Sequence, residues 1–274
     1  MKRLWIRSSF ACVALLLATS FAEAGQRLYS INSATNELVT IDVDNGAVAV
    51  VGSLGREVRD IDLAMLDGRL YGLSTDFAAR RAELLEIDAF DGSSTLLGNL
   101  AVGSTRATHA ESLGSTGGRL YAGFTLSPSD TTSGRLGAVS LTGAITGDVA
   151  VGTDLDGLAA DALGRLHGID SVPPGTVHLD ALQPTQRVAS YINAGLANDL
   201  VFSQGFIYMI FHQTSRLSVV DAATRQLVRS VDLSVAGEYF GLEVVAVPEP
   251  TTLALAGLGI TTPLLARRLR RPSR

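Results

Sequence analysis

Six acidic residues occupy matching places along the chain and could converge on one site. They are Asp60, Asp62, Glu111, Asp156, Asp199 and Glu238. Each lies among the few residues that lead into a short apolar segment. Carboxylates gathered in a low-dielectric channel repel one another unless a cation or an arginine offsets their charge. The pattern therefore predicts a ligand or metal site, with Ca²⁺ the best match because it takes several oxygen ligands at about 2.3–2.6 Å.

Other interpretations of these acids stay open. Arg59 and His109 lie close to them in sequence and could pair with them, or could bind an anionic or sugar ligand. The acids could also be solvated turn residues that cap strands. If they performed chemistry, Asp62, Glu111, Asp156 and Asp199 would be the candidates for the carboxylate pairs, about 5–10 Å apart, that glycoside hydrolysis requires.

Motifs for nucleophilic catalysis and for transition-metal binding are missing from the sequence. There is no Gly-x-Ser-x-Gly elbow, and the single cysteine, Cys12, lies in the N-terminal apolar segment. The four histidines, at positions 109, 167, 178 and 212, have no metal-ligand spacing. We therefore assign no catalytic residue and expect no cofactor beyond Ca²⁺.

The elements that must position these acids are short strands in a repeat. An Arg-Leu-Tyr segment recurs with variations at Arg27–Ile31, Arg69–Leu73, Arg119–Gly123, Arg165–Ile169 and Phe206–Ile210. Each copy after the first is preceded by an apolar strand and a tight turn, and the copies are followed by two further alternating strands. Asp67-Gly68, Asn45-Gly46 and Asp91-Gly92 supply the positive φ of two-residue hairpins. Four strands per repeat at this period are typical of a propeller blade, with an open β-sandwich as the alternative.

The number of strands predicts how the ring closes. The first repeat lacks a preceding inner strand, whereas the last is followed by an extra strand at Gly241–Val247. If this strand fills the vacant place beside Tyr29, both ends of the domain share one sheet and no edge stays open there. We therefore predict an all-β fold, a five-bladed β-propeller over residues 25–247.

The N-terminal 24 residues have the layout of a secretory signal peptide. Lys2, Arg3 and Arg7 precede an apolar stretch, and Ala22-Glu23-Ala24 forms a cleavage site before Gly25. Export then implies the secretory translocon and signal peptidase as partners. Without cysteine in the mature part, the exported domain must rely on its own core.

Residues 248–274 form a second targeting segment. Pro248-Glu249-Pro250 precedes an apolar run from Leu253 to Ala266, which predicts a short transmembrane helix. Four arginines follow: Arg267, Arg268, Arg270 and Arg271. This tail resembles the PEP-CTERM sorting signal of Gram-negative bacteria. The resemblance implies processing by an exosortase-like transpeptidase, an inner-membrane intermediate, and release to the cell surface or the extracellular matrix.

The net charge of the chain without its two end segments limits the classes of partner that it can bind. Without the eight basic residues of the two end segments, and without Glu23 and Glu249, 14 basic and 25 acidic residues remain, a net charge of −11. Such a body disfavours nucleic acid as a partner. We expect a non-enzymatic structural or interaction module, with exopolysaccharide as a partner suggested by the sorting signal. A lactonase or glycosidase using the acidic rim, and a lectin-like glycan binder, are the alternatives.

Overall fold

A computed structural model describes residues 27–127, 134–151, 155–172, 176–182, 185–192, 196–211 and 214–244. The predicted signal peptide, the predicted sorting segment and His212 lie outside these residues. Contacts within the chain group Gln26–Val245 into one compact unit. Its described residues form strands and turns, without helix. Within them, no helix has the length and apolar character that crossing a bilayer requires.

The strands form five sheets, each of which is one blade of a propeller. The first blade begins with β1 (Arg27–Asn32), β2 (Glu37–Asp42) and β3 (Val48–Ser53). The second contains β4 (Asp62–Leu66), β5 (Arg69–Asp76), β6 (Arg81–Ile87) and β7 (Ser94–Asn99). The third contains β8 (Ala101–Val102), β9 (Thr105–Arg106), β10 (His109–Thr116), β11 (Arg119–Thr125), β12 (Arg135–Val139) and β13 (Ala144–Ala150). The fourth contains β14 (Gly157–Ala160), β15 (Leu166–Val172), β16 (Thr176–Leu182) and β17 (Thr185–Ile192). The fifth contains β18 (Ala197–Ser203), β19 (Phe206–Phe211), β20 (Arg216–Asp221) and β21 (Leu227–Asp232), and the last strand is β22 (Tyr239–Val244).

The last strand completes the first blade, in the order β22-β1-β2-β3. It runs antiparallel to β1, with Leu28 opposite Val244 and Tyr29 opposite Glu243. The predicted closure and the predicted number of blades are therefore confirmed. The third blade differs from the simple repeat, because the β8–β9 hairpin is added in parallel to the outer strand β13.

Of the three predicted two-residue hairpin turns, Asp67-Gly68 is confirmed, whereas the other two are longer: five residues, 43–47, separate β2 from β3, and six, 88–93, separate β6 from β7. Asp67 and Gly68, between β4 and β5, have φ values of 51° and 76°. Gly46 and Gly92 end the turns after β2 and β6 with φ values of 71° and 79°. Positive φ at these positions suits glycine because it has no Cβ to clash with the backbone. These turns return each strand onto its neighbour and so keep the blades antiparallel.

The core is divided among the spaces between blades, and the Leu-Tyr pair of the repeat explains why. In β1, Leu28 packs into a buried cluster with fifth-blade residues such as Ile210, whereas Tyr29 packs into a cluster with second-blade residues such as Leu70. Consecutive strand residues point to opposite faces, so Leu contacts the preceding blade and Tyr the following one. In the second blade, Tyr71 likewise joins the cluster shared with the third.

Candidate functional site

The centre of the propeller is occupied by two aspartates that the sequence analysis had placed on its rim. Asp62 begins β4 and Asp199 lies in β18, and their exposed fractions are 1% and 0%. The two carboxyl groups are hydrogen-bonded to each other. Because the second and fifth blades are not neighbours, this bond crosses the middle of the ring.

Both carboxyl groups also accept backbone hydrogen bonds from two blades at once. Asp62 accepts from the backbone N–H of Leu63 in its own blade and of Leu113 in the third blade, both at 2.6 Å. Asp199 accepts from the N–H of Leu200 at 2.6 Å and from that of Leu242 in the closing strand. The pair therefore ties together inner strands of four blades.

Burial decides the protonation of this pair. It raises the pKa of Asp62 to about 7 and raises the pKa of Asp199 well above its usual range. The hydrogen bond between them, in which Asp62 accepts, opposes the rise at Asp62 and adds to it at Asp199. The pair thus holds a proton near neutral pH, on the Asp199 side, as expected for two carboxyl groups in contact.

The residues equivalent to Asp62 and Asp199 in other blades are small. They are Ser112 in β10, Gly157 in β14 and Gly241 in β22. A Cβ on Gly157 would lie 2.5 Å from Asp199 Oδ1 and 2.6 Å from its Cα. Two aspartates, one serine and two glycines thus fill the axis, and larger residues at Gly157 would displace Asp199.

Two of the predicted rim acids do meet, beside a histidine. His109 Nε2 lies 2.7 Å from Glu111 Oε1 and 3.8 Å from Asp60 Oδ2. Burial alone would lower the pKa of His109, but the hydrogen bonds and charges of Asp60 and Glu111 raise it to about 10. The imidazole is therefore positively charged at neutral pH and offsets the two acids.

This cluster also has the geometry of a possible metal site. One ligand atom from each of Asp60, His109 and Glu111 lies within 4.8 Å of the others. Two carboxylates and an imidazole suit Zn²⁺ better than Ca²⁺, which prefers oxygen ligands only. A bound metal would have to displace the proton that the acids stabilise on His109.

The two remaining predicted rim acids accept hydrogen bonds of their own. Asp156 accepts a hydrogen bond from the backbone N–H of Ser171 at 2.6 Å, which fastens it to its own blade. Glu238 precedes the closing strand and accepts a hydrogen bond from Ser33 Oγ at 3.4 Å. The structure thus brings Asp60 and Glu111 together, joins Asp62 to Asp199, and places Glu238 in the lining of the same pocket as Asp60.

A groove over the first and second blades is accessible on this face. A pocket of about 580 Å³ includes Glu57, Arg59, Asp60, Phe77 and Glu238 in its lining. A second pocket of about 430 Å³ shares Glu57, Arg59 and Phe77 with it. Volumes in this range are typical of small-ligand sites. Because charged groups alternate with a half-exposed phenylalanine, the groove is suited to a polar ligand with a flat apolar face.

Sequence reasoning missed two structural acids near these sites. Glu243 in the closing strand accepts hydrogen bonds from the N–H groups of Met65 at 2.6 Å and Val244 at 2.7 Å, which joins the first blade to the second. Glu83 is 1% exposed and pairs with Arg56 and with Arg81, the latter at 2.9 Å. The sequence did hold one indication of these roles. Each glutamate lies among the apolar residues of a strand, and a charged group buried there needs hydrogen-bond or ion-pair partners.

A comparison with protein families identifies the C-terminal targeting segment. The PEP-CTERM protein-sorting motif matches residues 246–271. The chain carries a PEP-CTERM sorting motif. The match includes Pro248-Glu249-Pro250 and the arginine cluster from Arg267 to Arg271, as the sequence predicted. The PEP-CTERM motif implies an exported protein that an exosortase processes and that ends at the cell surface or outside the cell.

Similarity to solved structures confirms the fold of the body. A chain of the nidogen/laminin complex is 12% identical with a TM-score of 0.51, over 80% of this chain and 98% of that one. The PQQ-bound aldose sugar dehydrogenase of Streptomyces coelicolor is 13% identical with a TM-score of 0.51, over 79% and 83% of the two chains. Identities this low show the fold alone. No characterised protein sequence matches the chain.

Proposed function

We propose that the protein is a surface or matrix component of a Gram-negative bacterium whose propeller is a non-enzymatic structural or interaction module. It leaves through the secretory translocon, loses its signal peptide to signal peptidase, and is held briefly in the inner membrane by the apolar segment of its tail. An exosortase then acts near Pro248-Glu249-Pro250. The PEP-CTERM motif supports the sorting part of this proposal.

The Asp62–Asp199 pair is the observation that carries the proposal for the body. Carboxylates of a hydrolase must reach a substrate, yet these two are buried and already bind four backbone N–H groups. At the rim, Glu111 and Asp60 face the charged His109. The acids that a propeller hydrolase would use are therefore engaged in holding the ring and its loops together.

The groove over the first and second blades is the natural binding surface of such a module. Its mixture of Glu57, Arg59, Asp60 and Phe77 suits the hydroxyl groups and apolar face of a saccharide, which supports exopolysaccharide as the partner. One structural neighbour comes from a nidogen/laminin complex and the other is an aldose sugar dehydrogenase, so the fold by itself favours neither role.

Fractionation tests the sorting part. Replacing Pro248-Glu249-Pro250 with three alanines should leave the protein as a larger, membrane-bound form, while the unaltered chain reaches the surface or the medium. Replacing three exposed residues of the body, Phe90, Leu163 and Leu227, with alanine is the control and should not change processing. Unchanged processing of the motif variant would remove the sorting proposal.

Activity screening tests the non-enzymatic part. Lactone and glycoside substrates should not be turned over, with or without added Ca²⁺ or Zn²⁺. Activity that disappears in a Glu111→Gln variant but persists in Glu57→Gln would overturn the proposal. It would also assign catalysis to the Asp60–His109–Glu111 cluster.

A further inference from the structure

A third pocket lies on the opposite face of the propeller, between the fourth and fifth blades. Its volume is about 420 Å³, and it is built by the turns that follow β14, β18 and β20. Leu163, Phe202 and Phe206 give it a largely apolar lining. Leu163 is 77% exposed, which is unusual for leucine and leaves its side chain available to a ligand.

Arg225 is the unpaired cation of this pocket. Its guanidinium carbon lies 5.8 Å from the centre of the Phe202 ring. Its Nη1 is buried and has no hydrogen-bond partner among the described residues. The residue as a whole is partly exposed, and a guanidinium without an ion pair beside an apolar surface favours a carboxylate as its partner.

The other charged groups around the pocket are already engaged. Arg165 forms an ion pair with Asp161 at 2.6 Å. Asp221 is the acid next to Arg225 in the turn. Its Oδ1 accepts hydrogen bonds from the N–H groups of Thr224 at 2.7 Å and Ala223 at 3.0 Å rather than from the guanidinium. These bonds lower its pKa, and the charge of Arg225 contributes to the same shift. Of the two cations that line the pocket, only Arg225 thus offers its charge to a ligand.

The turn that carries Arg225 differs in sequence from the equivalent turns of two other blades. The N–H of Arg225 donates to the carbonyl of Asp221 at 2.8 Å, and its φ is 61°. The first and second blades have Gly46 and Gly92 at the same place, with the same bond to the preceding aspartate. Glycine adopts positive φ without strain, whereas other residues pay roughly 1 kcal/mol. Arg225 in the fifth blade adopts this less favourable backbone conformation, and its side chain lines the pocket.

We propose that this pocket binds a small organic carboxylate with an apolar body. The carboxylate would pair with the Arg225 guanidinium, and the apolar body would lie against Leu163, Phe202 and Phe206. The inference does not depend on the proposed function of the module, since it concerns a different face and different residues.

Titration of the full-length protein with benzoate, followed by calorimetry or NMR, tests the proposal. Benzoate should bind, and the uncharged isostere benzamide should bind at least about tenfold more weakly. Glucuronate, whose body is polar, should also bind more weakly than benzoate. Equal affinity for benzamide, tighter binding of glucuronate or absence of benzoate binding would each overturn it.

Substitutions locate the site. Arg225→Gln should weaken benzoate binding about tenfold or more, and Arg225→Lys should restore part of it because the charge returns without the planar fork. Arg216→Gln, in the same blade but outside the pocket, is the matched control and should bind as the unaltered protein does. Thermal melts of the variants separate loss of the site from loss of the fold, and full binding by a folded Arg225→Gln variant would overturn the assignment.

Discussion

Asp62 and Asp199 belong to blades that are not neighbours, yet they share a hydrogen bond through the centre of the ring. Each also binds the backbone of the next blade, at Leu113 and at Leu242. A ring of sheets packed only through apolar faces would leave its axis hollow or wet. Here one protonated carboxyl pair fills the axis and fastens four inner strands.

Removal of one axial carboxyl should therefore destabilise the whole ring. Asp199→Ala leaves the N–H groups of Leu200 and Leu242 without their acceptor, and we expect a loss of about 2–4 kcal/mol in the free energy of unfolding by urea. Asp232→Ala removes an aspartate that is 77% exposed from a surface ion pair and should change stability by less than about 0.5 kcal/mol. Equal effects of the two changes would contradict a structural role for the pair.

The axial pair should make stability fall as pH rises. The folded state binds protons at Asp62 and Asp199 more tightly than the unfolded chain does, so this contribution is complete below about pH 4. It is lost as pH rises through about 7, the pKa of Asp62, and beyond. His167, whose pKa burial lowers, gives a trend of opposite sign below pH 6.5. His109, whose pKa is raised to about 10, adds a decline of the same sign above pH 6.5, and Glu243, whose pKa burial raises, adds one as well. Urea unfolding between pH 5 and 8 should show the summed decline, and the double variant Asp62→Asn, Asp199→Asn should show a smaller slope, most clearly below pH 6.5. A double variant with an unchanged slope would assign the pH dependence to other groups.

The ring closure can be trapped covalently. Leu28 and Val244 are directly opposed in an antiparallel pair, where Cα atoms lie about 4.5–5.5 Å apart, within the range of a disulfide. A chain with Leu28→Cys and Val244→Cys and with Cys12 removed should form one intramolecular disulfide on oxidation. Faster migration on a non-reducing gel would report it, and a single-cysteine variant is the control. Failure of the folded double variant to cross-link would argue against closure by β22.

The closing strand β22 should contribute more to the free energy of unfolding than the outer strands do. Leu242 is 1% exposed, and Leu242→Ala should cost about 2–5 kcal/mol because it leaves a cavity between the first and fifth blades. Leu227→Ala, at a leucine that is 58% exposed on β21, is the matched control and should have little effect. Denaturant unfolding measures both, and similar losses would mean that the closing strand adds no special stability.

His109 in the rim cluster and His167 in β15 should have opposite protonation states at neutral pH. His109 should stay protonated up to about pH 10, whereas His167, whose pKa burial lowers, should be neutral at pH 7. Imidazole nitrogen shifts in NMR distinguish the two states. Glu111→Gln should lower the pKa of His109 and leave His167 unchanged. A His109 that titrates near its ordinary pKa of 6.5 in the unaltered protein would show that the ion pair does not form in solution.

The sequence by itself determined the fold class, the five repeats, the closure and the sorting motif. Strand periodicity and turn chemistry are local, so Asp67-Gly68 and the Leu28-Tyr29 alternation could be interpreted without knowing any long-range contact. The sorting signal is local as well, since Pro248-Glu249-Pro250, the apolar run and the arginines follow one another along the chain.

Only the tertiary structure decided what each acid does. Asp60 and Asp62 are two residues apart and looked equivalent in sequence. Asp62 begins β4 and is buried at the axis, whereas Asp60 precedes that strand with a φ of 43° and stays near the surface beside His109. The pairing of Asp62 with Asp199 depends on how five blades close around a point, and Gly157 matters because it leaves room for that pair. Likewise, the unpaired Arg225 becomes visible only when turns of two blades meet over one apolar pocket. Charge, burial and partner are properties of the assembled ring, and no local pattern in the chain records them.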